Sequence, residues 1–157
     1  MDIIEVLKDD HKKAKAMLEE LEKTTSAAAK TRFNVLAKLE ADLRRHMKFE
    51  EEVFYPAIKA GADKEGRALA CEAYAEHEAA SGILERLKEE PTSAEMWKAW
   101  LSVFKEGVEH HIREEEKELF KHAKAAIPAE RRTEMAAEYQ KMKPNGDTTA
   151  IGSVPRV

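Results

Sequence analysis

One cysteine among 157 residues excludes an internal disulfide. Cys71 falls in a small-residue stretch with Ala68, Ala70 and Ala73, where it reads as a buried, inert thiol. No apolar run reaches membrane length, and Asp2, Glu5 and Lys8 interrupt the N-terminus with charge. Neither a spanning helix nor a secretory leader is expected, so the sequence predicts a cytoplasmic protein with no membrane partner. The net charge is -4 and lysines are mixed with glutamates, without the basic stripe that a nucleic-acid surface requires. Aromatics make up only 6% of the chain against 37% charged residues, a balance that favours a soluble helical domain.

Glycine and proline are scarce inside the long periodic segments, and the apolar spacing there alternates three and four. The spacing predicts a first helix over residues 3–23, with Ile4, Leu7, His11, Ala14, Leu18 and Leu21 along its inner seam. A second, after Thr24-Thr25-Ser26, runs to about Ala60 through Leu36, Leu39, Leu43, His46, Glu50 and Val53, with Pro56 near its end. The third follows Gly61-Ala62-Asp63, with Ala70, Ala73, His77, Ala80, Leu84 and Leu87 inward. A fourth opens after Pro91, where Thr92 and Glu95 are spaced as a capping box, and continues through Trp97, Leu101, Phe104, Val108, His111, Glu115 and His122. Breaks this short make neighbouring helices antiparallel, so the fold class is all-α, an up-down-up-down four-helix bundle. Pro128 can start a short helix to about Lys141, and from Pro144 onward the composition reads as a disordered tail. The expected organisation is a bundle over residues 1–125 and a C-terminal helix and flexible tail over 126–157.

Chemistry enters through His46-Met-Lys-Phe-Glu50 and His111-Ile-Arg-Glu-Glu115, two strings that each set a histidine four residues before a glutamate and recur 65 residues apart. On a helix, residues four apart share a face, so each string offers an imidazole and a carboxylate to one point. His11 precedes His46 by 35 residues and His77 precedes His111 by 34, which makes the chain a pseudo-repeat of one helical hairpin. Leu18 and Leu21 after His11 match Leu84 and Leu87 after His77.

Six polar residues, His11, His46, Glu50, His77, His111 and Glu115, thus occupy seam positions where Leu or Ile would stabilise a bundle. An unpaired buried carboxylate costs several kcal/mol against a total stability of about 5–15 kcal/mol, so something must compensate. One solution is a buried network of carboxylates with imidazolium ions, and another is a rotation that returns these groups to solvent. The matched offsets in both halves favour a third, a metal site. The nitrogen and oxygen donor set suits iron, manganese or zinc, and two carboxylates on facing helices can bridge two ions.

At these residues the chain resembles the hemerythrin-like family, whose members carry the HHE cation-binding domain. The resemblance spans about residues 1–125 and is carried by Leu7-Lys-Asp-Asp-His11, His46 to Pro56, Glu76-His77-Glu78 and His111 to Phe120. It implies a four-helix bundle around two non-haem iron ions, joined by an oxo or hydroxo bridge and by two glutamates; manganese or zinc would be the less usual occupants. By motif match, His11, His46, His77 and His111 would be terminal ligands, and Glu50 and Glu115 the bridges. Members bind O₂, sense oxygen or redox state, or react with peroxide or nitric oxide, so the partner implied is a small molecule. Peroxide scavenging is the leading expectation here, and an oxygen or redox sensor or an iron or O₂ store the alternative. A monomer or weak homodimer is expected.

One departure bears on function. Oxygen-carrying members have a second histidine one turn before the third-helix ligand, where this chain has Ala73. The vacancy argues against reversible O₂ transport and for an open position at one ion. Tyr55, Tyr74, Glu51 and Glu114 are candidates to fill it by proximity in sequence, although ordinary packing is the leading reading for Tyr55. His110 lies about 100° round the helix from His111 and reads as a rim residue, with a register using His110 and Glu114 as the alternative. His122, near a helix C-terminus, reads as structural or solvent-facing. The remaining acids of the two glutamate runs read as a solvated face that can also accept hydrogen bonds. Asp10, Glu76 and Glu78 are candidates to receive the second N–H of a metal-bound histidine. Met96, Trp97, Trp100 and Phe104 are expected to pack the bundle end.

Overall fold

The computed structural model describes residues 1–144. The tail expected from Pro144 onward therefore lies, from residue 145, outside the described residues. Four antiparallel rods form the bundle, and two of them are composite. α1 (Ile3–Glu22) is the first rod. The second joins α2 (Ala29–Phe49), a π-helical turn (Glu50–Phe54) and α3 (Tyr55–Gly61). The third rod is α4 (Lys64–Glu89). The fourth joins α5 (Glu95–Glu114), a second π turn (Glu115–Leu119) and α6 (Phe120–Ala126), after which α7 (Ala129–Met142) packs on α1. Among the described residues no helix is long and apolar enough to cross a membrane.

Local chemistry accounts for most of the boundaries. Asp2 caps α1 by accepting from the Ile4 N–H, and Asp63 caps α4 by accepting from the Gly66 N–H. The Thr92–Glu95 capping box does not form: α5 starts at Glu95 with Ala94 at its N-cap and no side-chain cap. Thr92 serves the other end of the chain instead, because its carbonyl accepts from the buried guanidinium of Arg32. Arg32 also donates to the Thr24 hydroxyl and carbonyl and lies 4.4 Å from the centre of the Trp97 ring, tying two loops to one end of the bundle. Nearby, Trp97 and Phe104 are buried as expected, but Met96 is 49% exposed. Residue 96 lies next to the inward-facing Trp97, so the turn of the helix carries it away from the core. Gly61 closes α3 where the rods converge: a Cβ there would come within 2.5 Å of the Ala126 carbonyl oxygen.

Cys71 is exposed, contrary to the buried thiol expected. Ala70 and Ala73 take the inward positions of α4, and residue 71 is rotated about 100° from Ala70 toward solvent.

The apolar core is split in two. One cluster contains Leu7, Phe49, Ala73 and Leu119; the other contains Ala14, Leu39, Leu84 and Val108. Along each rod a histidine lies between these two sets: His11, His46 and His77, which are buried, and His111, whose side chain is 11% exposed. A polar layer crosses the bundle between two apolar ones.

Candidate metal centre

Each rod contributes one imidazole to this layer, and the two composite rods add Glu50 and Glu115, both almost fully buried. His11 Nε2 lies 3.2 Å from Glu115 Oε1, and His46 Nε2 lies 3.0 Å from Glu50 Oε1. On the other side, His77 Nε2 is 3.1 Å from Glu50 Oε2, and His111 Nε2 is 3.4 Å from Glu115 Oε2. Each carboxylate therefore turns one oxygen to one histidine pair and its second oxygen to the other. His11, His46, Glu50 and Glu115 bring donor atoms within 4.8 Å of one another, and so do Glu50, His77 and His111.

The outward nitrogens are equally ordered. His11 Nδ1 pairs with Glu116 at 2.8 Å, His46 Nδ1 with Asp10 at 3.1 Å, His77 Nδ1 with Glu51 at 2.8 Å and His111 Nδ1 with Glu76 at 2.8 Å. A carboxylate on Nδ1 takes that N–H and turns Nε2 inward, which is the arrangement of metal-binding histidines. Asp10 and Glu76 were legible as acceptors. Glu78 is exposed and the inner member of its pair is Glu76. Glu51, a candidate inner donor on sequence, turns outward to His77.

Tyr55 occupies the inner layer. Its phenol donates to Glu115 Oε2 at 2.5 Å, lies 3.0 Å from Glu50 Oε2, and stands 3.2 Å from His77 Nε2. Packing alone therefore does not describe this side chain. The cause is the first π turn, in which the Tyr55 N–H bonds to the Glu50 carbonyl, five residues back. Five residues on an α-helix point about 140° apart, whereas an i→i+5 turn returns Tyr55 to the Glu50 face. Pro56, which lacks an N–H, directly follows the bend. The second π turn does the same for Phe120 after Glu115 without a proline, and the Phe120 ring lies parallel to that of His11, at 6.0 Å. The two halves differ at this matched position by one hydroxyl. Of the other candidates, Tyr74 is 47% exposed and Glu114 is exposed. His110 lies on the rim, its side chain 52% exposed, 3.4 Å from Glu76. His122 is part-buried beside Asp63 at the outer end.

The electrostatics of the layer are those of two carboxylates shared among imidazoles. Burial and the neighbouring Glu115 work to raise Glu50, yet His46 and His77 hold it below the usual carboxylate range. Burial likewise opposes charge on Glu115, and His111 and His11 hold it well below that range. Burial disfavours a charged His46, but Glu50 and Asp10 push it up to about 10. His111 is raised well above its usual value against its burial, chiefly by Glu115. Burial and both carboxylate charges raise the Tyr55 phenol.

These contacts leave one half of the layer incomplete. His11 Nε2, His46 Nε2, Glu50 Oε1 and Glu115 Oε1 are buried without a hydrogen-bond partner of acceptable geometry, although they lie close together. Four orphaned donor atoms converging on one point fit a cation that would satisfy all of them. On the facing side, the Tyr55 hydroxyl satisfies the second oxygens. The arrangement is a two-site histidine and glutamate cluster compatible with a dinuclear metal centre.

A family model described as the hemerythrin HHE cation binding domain matches residues 2–123. The chain belongs to the hemerythrin HHE cation-binding family. A crystal structure of a hemerythrin HHE cation-binding domain-containing protein from Mycobacterium kansasii superposes with a TM-score of 0.77 over 98% of this chain and 99% of that one, at 22% identity. That likeness is one of fold. A protein named as a DNA nickase, from Nostoc sp. (strain PCC 7120), is 27% identical over 143 residues, 91% of this chain. The chain spans 39% of the length of that relative, and the nicking named for it belongs to the longer protein.

In this hemerythrin-like centre, a small cavity beside Ala73, His111 and Glu115 and two further spaces adjoin the polar layer. A cavity of about 30 Å³ lies against the four imidazoles and is otherwise lined mainly by apolar side chains including Leu43, Ala80, Leu84 and Phe104, with Glu76 and Ser81 as its other polar residues. It has room for a water or a ligand of two heavy atoms. On the outer side, a groove of about 650 Å³ between Glu51, Tyr55, Lys59, Cys71 and Tyr74 opens to solvent.

Proposed function

We propose that this chain is a non-haem di-iron protein whose centre binds or reacts with O₂, peroxide or nitric oxide, and that peroxide removal is its principal reaction. His11, His46, His77 and His111 are the terminal ligands, Glu50 and Glu115 the bridges, and Tyr55 an additional ligand or hydrogen-bond donor on the His77–His111 side. The observation that carries this reading is the convergence of four inward Nε2 atoms on two bridging carboxylates, each histidine being held from behind by its own carboxylate. The oxygen-rich, thiolate-free donor set is also open to manganese or zinc, and family membership favours iron.

Bound iron would supply Lewis acidity and one-electron redox steps. The residues supply the rest. Glu51, Glu76, Asp10 and Glu116 orient the imidazoles, Glu50 and Glu115 hold two charges together, and the apolar cavity beside the rings limits ligands to small ones. Ala73 contributes no donor, so a position on that side would be open to an exogenous molecule or would be filled by the Tyr55 hydroxyl, 3.2 Å from His77 Nε2. Disproportionation balances without another reactant: two hydrogen peroxide molecules give two waters and O₂.

The test is O₂ release after peroxide is added to fully iron-loaded protein. Rapid release that is lost in His77→Ala supports the assignment; no turnover with a full iron complement overturns it. A second reading, an oxygen or redox sensor without turnover, is favoured by the contact of α7 with Asp10, the carboxylate behind His46. It predicts a ligand-dependent change in α7 where turnover is absent.

A further inference from the structure

Three of the four carboxylates behind the histidines meet solvent: the side chains of Glu116, Glu51 and Glu76 are 33%, 27% and 21% exposed. The fourth is closed over. Asp10, which holds His46, is 14% exposed, and the cover comes from α7. The Tyr139 hydroxyl donates to Asp10 Oδ2, the same oxygen that His46 Nδ1 meets, and Lys143 Nζ lies 3.1 Å from Oδ1. Tyr139 is fully buried, 4.9 Å from the Phe49 ring and edge-on to the His46 ring at 6.3 Å.

α7 lies beyond the residues that the family model matches. Its other inward residues, Met135 and Ala136, only pack. Packing alone would be served by phenylalanine at 139, since a buried hydroxyl costs free energy unless it is paired. Here it is paired with the least exposed of the four outer carboxylates.

We infer that Tyr139, assisted by Lys143, is a positioning residue of the metal centre: it fixes Asp10 and through it the ring of His46, so that metal occupancy and the docking of α7 are coupled. The inference rests on the metal-centre reading above. A cation that immobilises His46 at Nε2 also immobilises Asp10 and Tyr139 behind it. Because coupling is reciprocal, an α7 held in place must in turn retain the metal. The helix then reports occupancy of the His11–His46 half at the protein surface; among the described residues the other three histidines have no such link to α7.

The test uses the full chain, metal-free and loaded with iron(II) under anaerobic conditions. It measures amide hydrogen exchange across α7 and the rate at which iron passes to a ferrous chelator. In the wild type, loading should slow α7 exchange about 5-fold or more. Tyr139→Phe keeps the ring, still takes up two ions, loses the slowing, and releases one of the two about 10-fold faster. Met135→Ala, which loosens α7 without touching Asp10, should raise exchange in both states and keep the ratio between them. A Tyr139→Phe protein with wild-type slowing and release overturns the inference, as does a Met135→Ala protein that loses the slowing as fully. A wild type that takes up no metal overturns the metal-centre reading and this inference together; normal uptake with an indifferent Tyr139→Phe removes this inference alone.

Discussion

The Tyr55 hydroxyl meets Glu115 Oε2 at 2.5 Å across the bundle, sixty residues away in the chain. This contact joins the two pseudo-repeats at the level of the proposed bridges, and it exists because a π turn inserts one extra residue between Glu50 and Tyr55. The matched position in the other half is Phe120, which offers a ring and no oxygen. The centre is therefore asymmetric by construction, with a phenol on the inner side of His77 and none at the inner Nε2 atoms of His11 and His46.

Tyr55→Phe should separate the two roles of that phenol. In the iron-loaded protein, a phenolate-to-iron absorption band in the visible should disappear; an unchanged spectrum would remove Tyr55 from the ligand set. In the chelated protein, the variant removes the phenolic donor from Glu50 Oε2 and Glu115 Oε2 and should lower stability by about 1–3 kcal/mol, read from denaturant unfolding.

The pH dependence of the metal-free protein follows from the charges of the layer. Glu50 and Glu115 are lowered in the fold, so their contribution is present above the ordinary carboxylate value of about 4.5 and is lost as pH falls. His46 and His111 are raised, so theirs is complete below the ordinary histidine value of about 6.5. It fades as pH rises toward the His46 value of about 10. Chelated protein should therefore have its highest melting temperature between about pH 5 and 6.5 and soften on the alkaline side. Metal displaces the imidazole protons, so the loaded protein should lose the alkaline softening and gain acid sensitivity. Melting curves across pH, with and without chelator, check both signs.

Arg32→Leu tests the far end of the bundle. It leaves the Thr92 carbonyl without its buried donor, removes the Arg32 bonds to Thr24, whose carbonyl keeps Lys98, and removes the guanidinium from the Trp97 face. A loss of about 2–4 kcal/mol is expected in denaturant unfolding, with metal content unchanged because His11, His46, His77 and His111 are not among its contacts.

Much of this was readable in the residues, and what was not has identifiable causes. The four rods and the six polar seam positions follow from three-and-four spacing, which an α-helix obeys over most of the chain. That spacing failed where the helix did. The expected seam continued from Glu50 to Val53, whereas the π turn buries Phe54 and Tyr55 instead. Only the string Glu50 to Pro56 hinted at this, through a proline that a continuous helix would not accommodate easily. Arg32 escaped because its partners are loop carbonyls, which no side-chain pattern marks. The Thr92–Glu95 box matched a cap by spacing, but the helix begins at Glu95 with Ala94 at its N-cap, which leaves Thr92 two residues ahead of the cap. Tyr139 could not be connected to Asp10 from sequence, because the approach of α7 to α1 is a tertiary event.

The central claim is that the polar layer holds two iron ions. Metal analysis of the purified chain, with its near-ultraviolet and visible spectrum recorded on the same sample, tests it most directly. The account predicts about two irons per chain with ligand-to-iron charge-transfer bands, and loss of both the iron and the bands when Glu50 and Glu115 are replaced by alanine. A folded protein that binds no metal after iron is supplied, and that melts at the same temperature with and without chelator, would contradict it.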